Sequence, residues 1–282
     1  MPLHDEYARI TPYELLLPQE DFADERFPAI RKEAEARGGD LTNPDAFSLL
    51  GEAGMVLRAL RGEEEDPHLI QQHGALLFHA FHFWQEDRPL YLLETGVLRF
   101  LTDTGPQKEA WDPSVPGRAG YIQLPQHLVW GPRNQEEAAE SVDGFFWSLP
   151  DGESLSLLLV MGIRKDRPGL TVVPLPTLSL ASAAPWATMR VREEGQGEDF
   201  SSDLPGAELE QLCTVQAGAE AVKLAMRVFW YLDTFPGTLG PERSAPAEGS
   251  READESGDAE GGSDPGPRPT SLSYRPVSLR GS

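Results

Sequence analysis

The sequence predicts an α+β domain with N-terminal helices, an antiparallel β-meander of about four strands and a long C-terminal helix packed on that sheet. Three observations support this fold class. Apolar residues recur at helical spacing in the first part, short apolar runs separated by turn residues follow, and a long amphipathic stretch begins near residue 207. We expect residues 1–110 to be mainly helical and to form one domain with 111–236, which contain the sheet and the C-terminal helix. Residues 237–282 are expected to be a disordered acidic tail rich in Gly, Pro and Ser.

Helix start and stop signals place the N-terminal helices. Asn43 is a typical N-cap residue, and Pro44 fits the first helical position. Asp66 and Pro67 open the next helix in the same way. The predicted helices cover residues 27–37, 46–60, 67–84 and 90–101. Together they form the expected helical layer.

Short apolar runs in the middle of the chain predict the strands of the sheet. The runs cover residues 121–130, 142–149, 155–161 and 170–175. The pair Asp151-Gly152 lies between two of them and is a strong hairpin signal. Pro125 has no amide N–H, so it places the first run at a sheet edge or at a bulge.

The second of these runs, VDGFFWSL, carries the consecutive aromatic residues Phe145, Phe146 and Trp147. Because a strand alternates its faces, aromatic side chains lie on both sides of it. Such a strand is covered on both faces and central in the sheet, and burial of each ring contributes roughly 1.5–3 kcal/mol. Core packing therefore explains the run, and an exposed binding platform is the alternative.

The late part of the chain contains one long predicted helix, at residues 207–233, with an apolar stripe at helical spacing. This stripe is expected to pack on the sheet. The tail beyond it has few residues to bury and cannot offset the entropy of ordering. Its last residues, SLSYRPVSLRGS, are either an inert end or a short docking motif.

Composition excludes several classes of function. The formal net charge of −22 repels phosphate, which disfavours a broad nucleic-acid surface. The single cysteine, Cys213, forms neither an internal disulfide nor a cysteine zinc site, and it suits a reducing cytoplasm. The N-terminal residues do not resemble a secretory signal, and the longest apolar run is too short to cross a bilayer. We therefore expect a cytoplasmic protein with no membrane partner, and the oligomeric state is not predicted.

No sequence motif indicates catalysis. There is no phosphate-binding glycine loop and no nucleophile elbow. His79 and His82 form an i, i+3 pair, but they lie roughly 60° apart on a helix and do not converge with the other histidines. We predict no catalytic residue, no metal and no cofactor. The alternative is a metal-assisted hydrolase with an unrecognised site around His79 and His82.

The tryptophans supply the candidate binding residues. Large aromatic side chains with a polar atom are enriched where a protein contacts a partner. Trp111 and Trp186 lie in predicted loops, so we take them as candidate partner-binding residues.

The order of segments over about residues 90–236 carries a family resemblance. A Leu-Pro strand, YIQLPQHLVW, precedes the aromatic strand DGFFWSL, the apolar strand SLSLLLVMG, a proline-bearing segment, VVPLPTLSL, and a late helix, AMRVFWYLDTFP. This order resembles the type V anti-CRISPR family that blocks production of the effector nuclease, with relatives in plasmids, phages and bacteria. An acidic tail replaces the basic C-terminal extension of that family.

The resemblance implies a non-enzymatic recognition protein that binds a protein or a nascent peptide and is associated with mobile elements or host defence. It brings no catalytic residue with it.

Overall fold

Two hydrophobic clusters lie on opposite faces of a mixed β-sheet, one under the N-terminal helices and the other under the later helices. The computed structural model describes residues 7–17, 20–61, 67–106, 114–125, 142–161, 171–188, 209–244 and 269–279. No helix among them is both long enough and apolar enough to cross a membrane.

The described helices form two layers around the sheet. They are α1 (Pro12–Leu16), α2 (Glu20–Arg37), α3 (Pro44–Ser48), α4 (Gly51–Arg61), α5 (Pro67–Gln85), α6 (Thr95–Asp103), α7 (Leu180–Ala183) and α8 (Leu209–Thr234), with short 3-10 helices at Ala184–Thr188 and Pro236–Thr238. Helices α1 to α5 cover one face of the sheet. Helices α6, α7 and α8 cover the other face.

Seven strands in the described residues form the sheet. They are β1 (Leu90–Leu93), β2 (Ala119–Gln123), β3 (Val142–Ser148), β4 (Ser154–Met161), β5 (Thr171–Pro174), β6 (Leu178–Ser179) and β7 (Tyr274–Val277). The strand order is β5-β4-β3-β2-β1-β7, and β6 pairs with the start of β4. Strand β1 is parallel to both β2 and β7, whereas the other neighbours are antiparallel.

The antiparallel meander of about four strands is therefore wrong in its detail, because the sheet is mixed and larger. The expected helix at residues 90–101 is divided into β1 and α6, and the helix begins only at Thr95. All four residues of β1 are buried. A short apolar run buried on both faces has no alternation, so its spacing does not distinguish a strand from a helix.

The late helix and the tail also differ from the prediction. Helix α8 is long, with 26 residues, but it does not close the fold, since β7 returns the chain to the sheet. Residues 237–282 were expected to form a disordered acidic tail, yet residues 237–244 and 269–279 are packed on the domain. Residues 245–268 lie outside the described part of the chain. Strand β7 lies between β1 and residues 239–243.

The aromatic run lies in the core, as predicted. On one face, the ring of Phe146 lies 5.5 Å from that of Phe83 on α5. On the other face, the ring of Trp147 lies 5.6 Å from that of Phe229 on α8. Gly120 on β2 makes room for this indole, because a Cβ at that position would lie 2.0 Å from the Trp147 ring.

A buried ion pair anchors the N-terminal segment to the sheet. Arg9 Nη2 lies 2.8 Å from the carboxylate of Asp143 on β3, and both side chains are at most 3% exposed. The Arg9 backbone amide donates to Gln123 on β2, and the Tyr121 hydroxyl donates to Asp143. These hydrogen bonds fix the position of the chain immediately before α1.

Candidate functional site

Only one of the two predicted partner-binding tryptophans lies in the part of the chain that the structure describes. Trp111 lies outside the described residues. Trp186 lies in the 3-10 helix Ala184–Thr188, where its half-buried side chain packs against the cluster beneath α8. Its role in partner binding remains a prediction.

The histidines of the hydrolase alternative have separate structural partners. His79 is buried between α5 and the sheet, with Nδ1 2.9 Å from the Ser148 hydroxyl and Nε2 3.4 Å from that of Ser156. His82 Nε2 lies 2.9 Å from the backbone carbonyl oxygen of Leu41. Burial lowers the pKa of His79 to about 3 and that of His82 to about 4, so both are neutral at pH 7.

These contacts do not favour the hydrolase alternative. A substrate cannot reach His79 without opening the core, because only 2% of this residue is exposed. Among the residues that the structure describes, no three His, Cys, Asp or Glu side chains are grouped to hold a metal ion.

An open pocket of about 660 Å³ lies where the N-terminal helices meet the end of the chain. We call it the β7 pocket. One wall comes from α1 and the start of α2, and the turn from α5 into β1 forms the base. The opposite wall consists of Ser271 to Arg275, and Glu242 lies at its edge. Segments far apart in sequence therefore build the pocket together.

The turn at the base has an unusual backbone. Asp87 and Arg88 both have φ of 59°, in the left-handed region that favours glycine. Their amides close the end of α5 in a Schellman arrangement, since Asp87 N–H donates to the Trp84 carbonyl and Arg88 N–H to the Phe83 carbonyl. Consecutive left-handed residues without glycine are strained by roughly 1–2 kcal/mol each. The turn carries both charged side chains to the pocket.

Glu14 joins the first wall of the pocket to the C-terminal one. Its carboxylate accepts a hydrogen bond from the backbone amide of Thr11, and its own amide donates to the Thr11 hydroxyl oxygen, which makes a capping box at the start of α1. The Thr11 hydroxyl also donates to this carboxylate. The same carboxylate accepts from the hydroxyl of Thr270 and from the amide and hydroxyl of Ser271. Bonds to an ionised acceptor are stronger than neutral ones. Glu14 therefore holds the C-terminal segment, residues 269–279, against α1.

The pocket lining is predominantly acidic. Its carboxylates belong to Glu14, Asp24, Glu86, Asp87 and Glu242. The arginines that line it are Arg88 and Arg275, and Arg275 lies 3.7 Å from the carboxylate of Glu242. The carboxylate of Asp24 accepts from the indole N–H of Trp84. The hydrogen-bond donors to Glu14 and Asp24 are amide, hydroxyl and indole groups, which carry no charge. These bonds therefore do not neutralise the negative charge of the two carboxylates.

Tyr13 lies in the wall of the pocket and is 5% exposed. Burial raises its pKa to about 12, with Arg88, Asp24 and Glu14 as the neighbouring charges. Within the described residues, its hydroxyl makes no hydrogen bond, although the Arg88 guanidinium is a neighbouring cation. A buried hydroxyl without a partner is unusual in a folded protein.

Sequence reasoning missed this site because its residues come from distant segments and match no motif. The one sequence signal for this site was the alternative interpretation of SLSYRPVSLRGS as a short docking motif. Residues 271–279 of that segment dock on the chain's own domain, and residues 271–275 contribute one wall of the pocket.

The fold and the pocket define an α+β domain whose own C-terminal segment completes a polar cleft. No protein-family model and no curated protein matches this chain. Among solved structures, it is similar to the crystal structure of AcrVA2, with 14% sequence identity and a TM-score of 0.39. The similarity covers 94% of this chain and 82% of the other. These values do not establish a common fold.

Proposed function

We propose that this protein is a non-enzymatic recognition protein that binds a short peptide segment of another protein, including a nascent chain, in the β7 pocket. The observation that carries this proposal is an open polar pocket of about 660 Å³ whose walls come from both ends of the domain.

The chemistry of the lining supports a peptide over a small apolar ligand. Small-molecule sites of this volume are mostly apolar and enclose the ligand. Of the 17 described residues that line this pocket, 12 have polar side chains, and seven of those are charged. An open, polar surface suits a segment that brings its own backbone amides and charged side chains.

The contacts of the carboxylates support binding over catalysis. A general base needs a free lone pair aimed at the substrate and a pKa near the working pH. Glu14 accepts hydrogen bonds from Thr11, Thr270 and Ser271, and Asp24 accepts from Trp84. These carboxylates therefore stabilise the walls of the pocket.

The biological setting in the proposal comes from the sequence. The order of segments resembles the anti-CRISPR family, so we propose a role associated with mobile elements or host defence in the cytoplasm. Trp111 and Trp186 are proposed as further contacts for the partner, and Trp186 lies outside the pocket.

A selection from a library of random 12-residue peptides tests the proposed function. We expect enriched peptides to bind the full chain and to slow amide hydrogen exchange in the turn at Asp87 and in the wall at Ser273. Replacing the exposed Ser273 by Trp places a bulky ring in the pocket and should weaken binding by about tenfold or more, equivalent to ~1.4 kcal/mol.

Ser48→Trp is the matched control, because Ser48 is exposed on α3 and does not line the pocket. The proposal is refuted if no peptide is enriched. It is also refuted if the enriched peptides bind Ser273→Trp and the unmodified chain equally well.

A further inference from the structure

We propose that the β7 pocket selects a positively charged peptide, one that places a Lys or Arg side chain or a free α-amino group against Asp24, Glu86 and Asp87. This inference rests on the proposed function and names the chemical class of its ligand.

The charge balance of the lining is the first observation. Among the described residues, five carboxylates and two guanidinium groups line the pocket, which gives this lining a formal charge of −3. Arg275 is paired with Glu242, so Arg88 is the remaining cation among the lining residues that the structure describes. The donors to Asp24 and Glu86 are the Trp84 indole and the Arg118 backbone amide, both neutral. A cationic ligand would compensate the negative charge of these carboxylates, which no cation of the described lining neutralises.

The hydroxyl of Tyr13 is a second and independent observation. It is buried in the pocket wall among Glu14, Asp24 and Arg88, and it makes no hydrogen bond within the described residues. A phenol oxygen accepts a hydrogen bond, and an ammonium or guanidinium group has donors but no acceptor. A ligand cation that reaches the wall would provide the missing partner and remove the penalty of an unpaired buried group.

An acidic peptide fits this pocket poorly. Arg88 could bind a carboxylate, but that carboxylate would lie beside Asp24 and Asp87 and be repelled by both. The whole chain, with a formal net charge of −22, also slows the approach of an anion. Attraction of a cation is screened by salt, so binding should weaken as ionic strength rises.

The test uses a peptide from the random library that protects the pocket in hydrogen exchange. Its basic residue, or its free amino terminus, is replaced by a neutral isostere and then by Glu. We expect the neutral peptide to bind about 3- to 10-fold more weakly and the Glu peptide more weakly still.

Charge removal on the protein is the complementary test. Asp87→Asn keeps the left-handed backbone, which Asn tolerates, and Glu86→Gln keeps the shape of the side chain. Each should weaken binding of the basic peptide by about 3- to 5-fold. Glu35→Gln removes an equal charge from an exposed position on α2, roughly 16 Å along the helix from Asp24. That variant should bind like the unmodified protein.

The outcomes separate this inference from the proposed function. Failure to select any pocket-binding peptide refutes both. Selection of neutral or acidic peptides that bind in the pocket, with affinities insensitive to Asp87→Asn and Glu86→Gln, refutes the cation preference and leaves the peptide-binding function standing. If Glu35→Gln loses as much affinity for the basic peptide as Asp87→Asn and Glu86→Gln do, the effect is one of net charge, and a local cation site is refuted.

Discussion

Acidification should destabilise this protein through its buried histidines. The ordinary pKa of histidine is 6.5, and burial lowers it to about 3 for His79 and about 4 for His82 in the folded chain. The unfolded chain therefore binds protons more tightly than the folded one. The stabilisation is fully present above pH 6.5, and it is lost progressively as the pH falls from there towards the folded-state values.

The magnitude follows from the two pKa values of each histidine. At pH 5, protonation of an unfolded histidine with a pKa of 6.5 stabilises the unfolded state by about 2 kcal/mol. Protonation of the two histidines stabilises the folded state very little at pH 5, since both folded-state pKa values lie below that pH. His79 and His82 together should lower the free energy of unfolding by about 4 kcal/mol between pH 7.5 and pH 5. That is a large part of the 5–15 kcal/mol typical of a domain.

Urea unfolding, followed by tryptophan fluorescence at pH 7.5, 6.5, 5.5 and 5.0, measures this loss. His82→Gln removes one titrating group and retains a side chain that can donate to the Leu41 carbonyl. Its stability should fall by about 2 kcal/mol less than that of the unmodified protein over the same pH range. Because carboxylates titrate equally in both proteins, their contribution cancels in the difference. Identical pH profiles for the two proteins would contradict the argument.

Three further substitutions test individual contacts. Arg9→Met leaves the buried carboxylate of Asp143 without its cation and should lower the free energy of unfolding by about 3–5 kcal/mol; adding Asp143→Asn should recover part of the loss, and urea unfolding measures both. Gly120→Ala places a methyl group against the ring of Trp147 and should cost about 1–3 kcal/mol and change the near-UV circular dichroism; an unaltered spectrum and stability would be inconsistent with this packing. Glu14→Gln replaces a carboxylate oxygen by a donor and should lower the free energy of unfolding by about 2 kcal/mol. Amide hydrogen exchange in residues 270–277 should become faster. Unchanged exchange would show that this carboxylate does not hold the C-terminal segment.

Local signals in the sequence predicted several elements correctly. Asn43 caps α3, where its side chain accepts from the amides of Asp45 and Ala46. The Asp151-Gly152 pair turns the chain from β3 into β4, and Gly152 has φ of 82°. The aromatic strand is buried on both faces, as the alternation predicted. Each of these features depends on residues close together in the chain.

The parts that were wrong depend on pairing between distant residues. Leu90 on β1 pairs with Tyr121 on one side and with Tyr274 on the other. Nothing near Leu90 in the sequence signals either partner, and a four-residue apolar run is compatible with a helix. The sequence SYRPV likewise does not predict a strand by itself. It forms one because it pairs with β1 on one side and with residues 239–243 on the other.

The candidate site shows the same limit. Tyr13, Arg88 and Arg275 converge on one pocket although they come from the start, the middle and the end of the chain. None of them lies in a recognisable motif. The tryptophans were chosen because they are large and lie in predicted loops, but the pocket depends on charge and on chain-end packing. Sequence position alone does not reveal which charged residues share a surface.

The C-terminal segment is both a strand of the sheet and a wall of the β7 pocket, so ligand binding and docking of this segment are linked. Val277 is fully buried beside β1, whereas Arg275, two residues earlier, is exposed at the pocket. A ligand that contacts residues 271–275 binds the docked state and not the undocked one. Mass action then stabilises docking by RT ln(1 + [L]/Kd), about 2.7 kcal/mol at a ligand concentration of 100 Kd. Reciprocally, any change that weakens docking of β7 must lower the apparent affinity for the ligand, even when the changed residue never touches it.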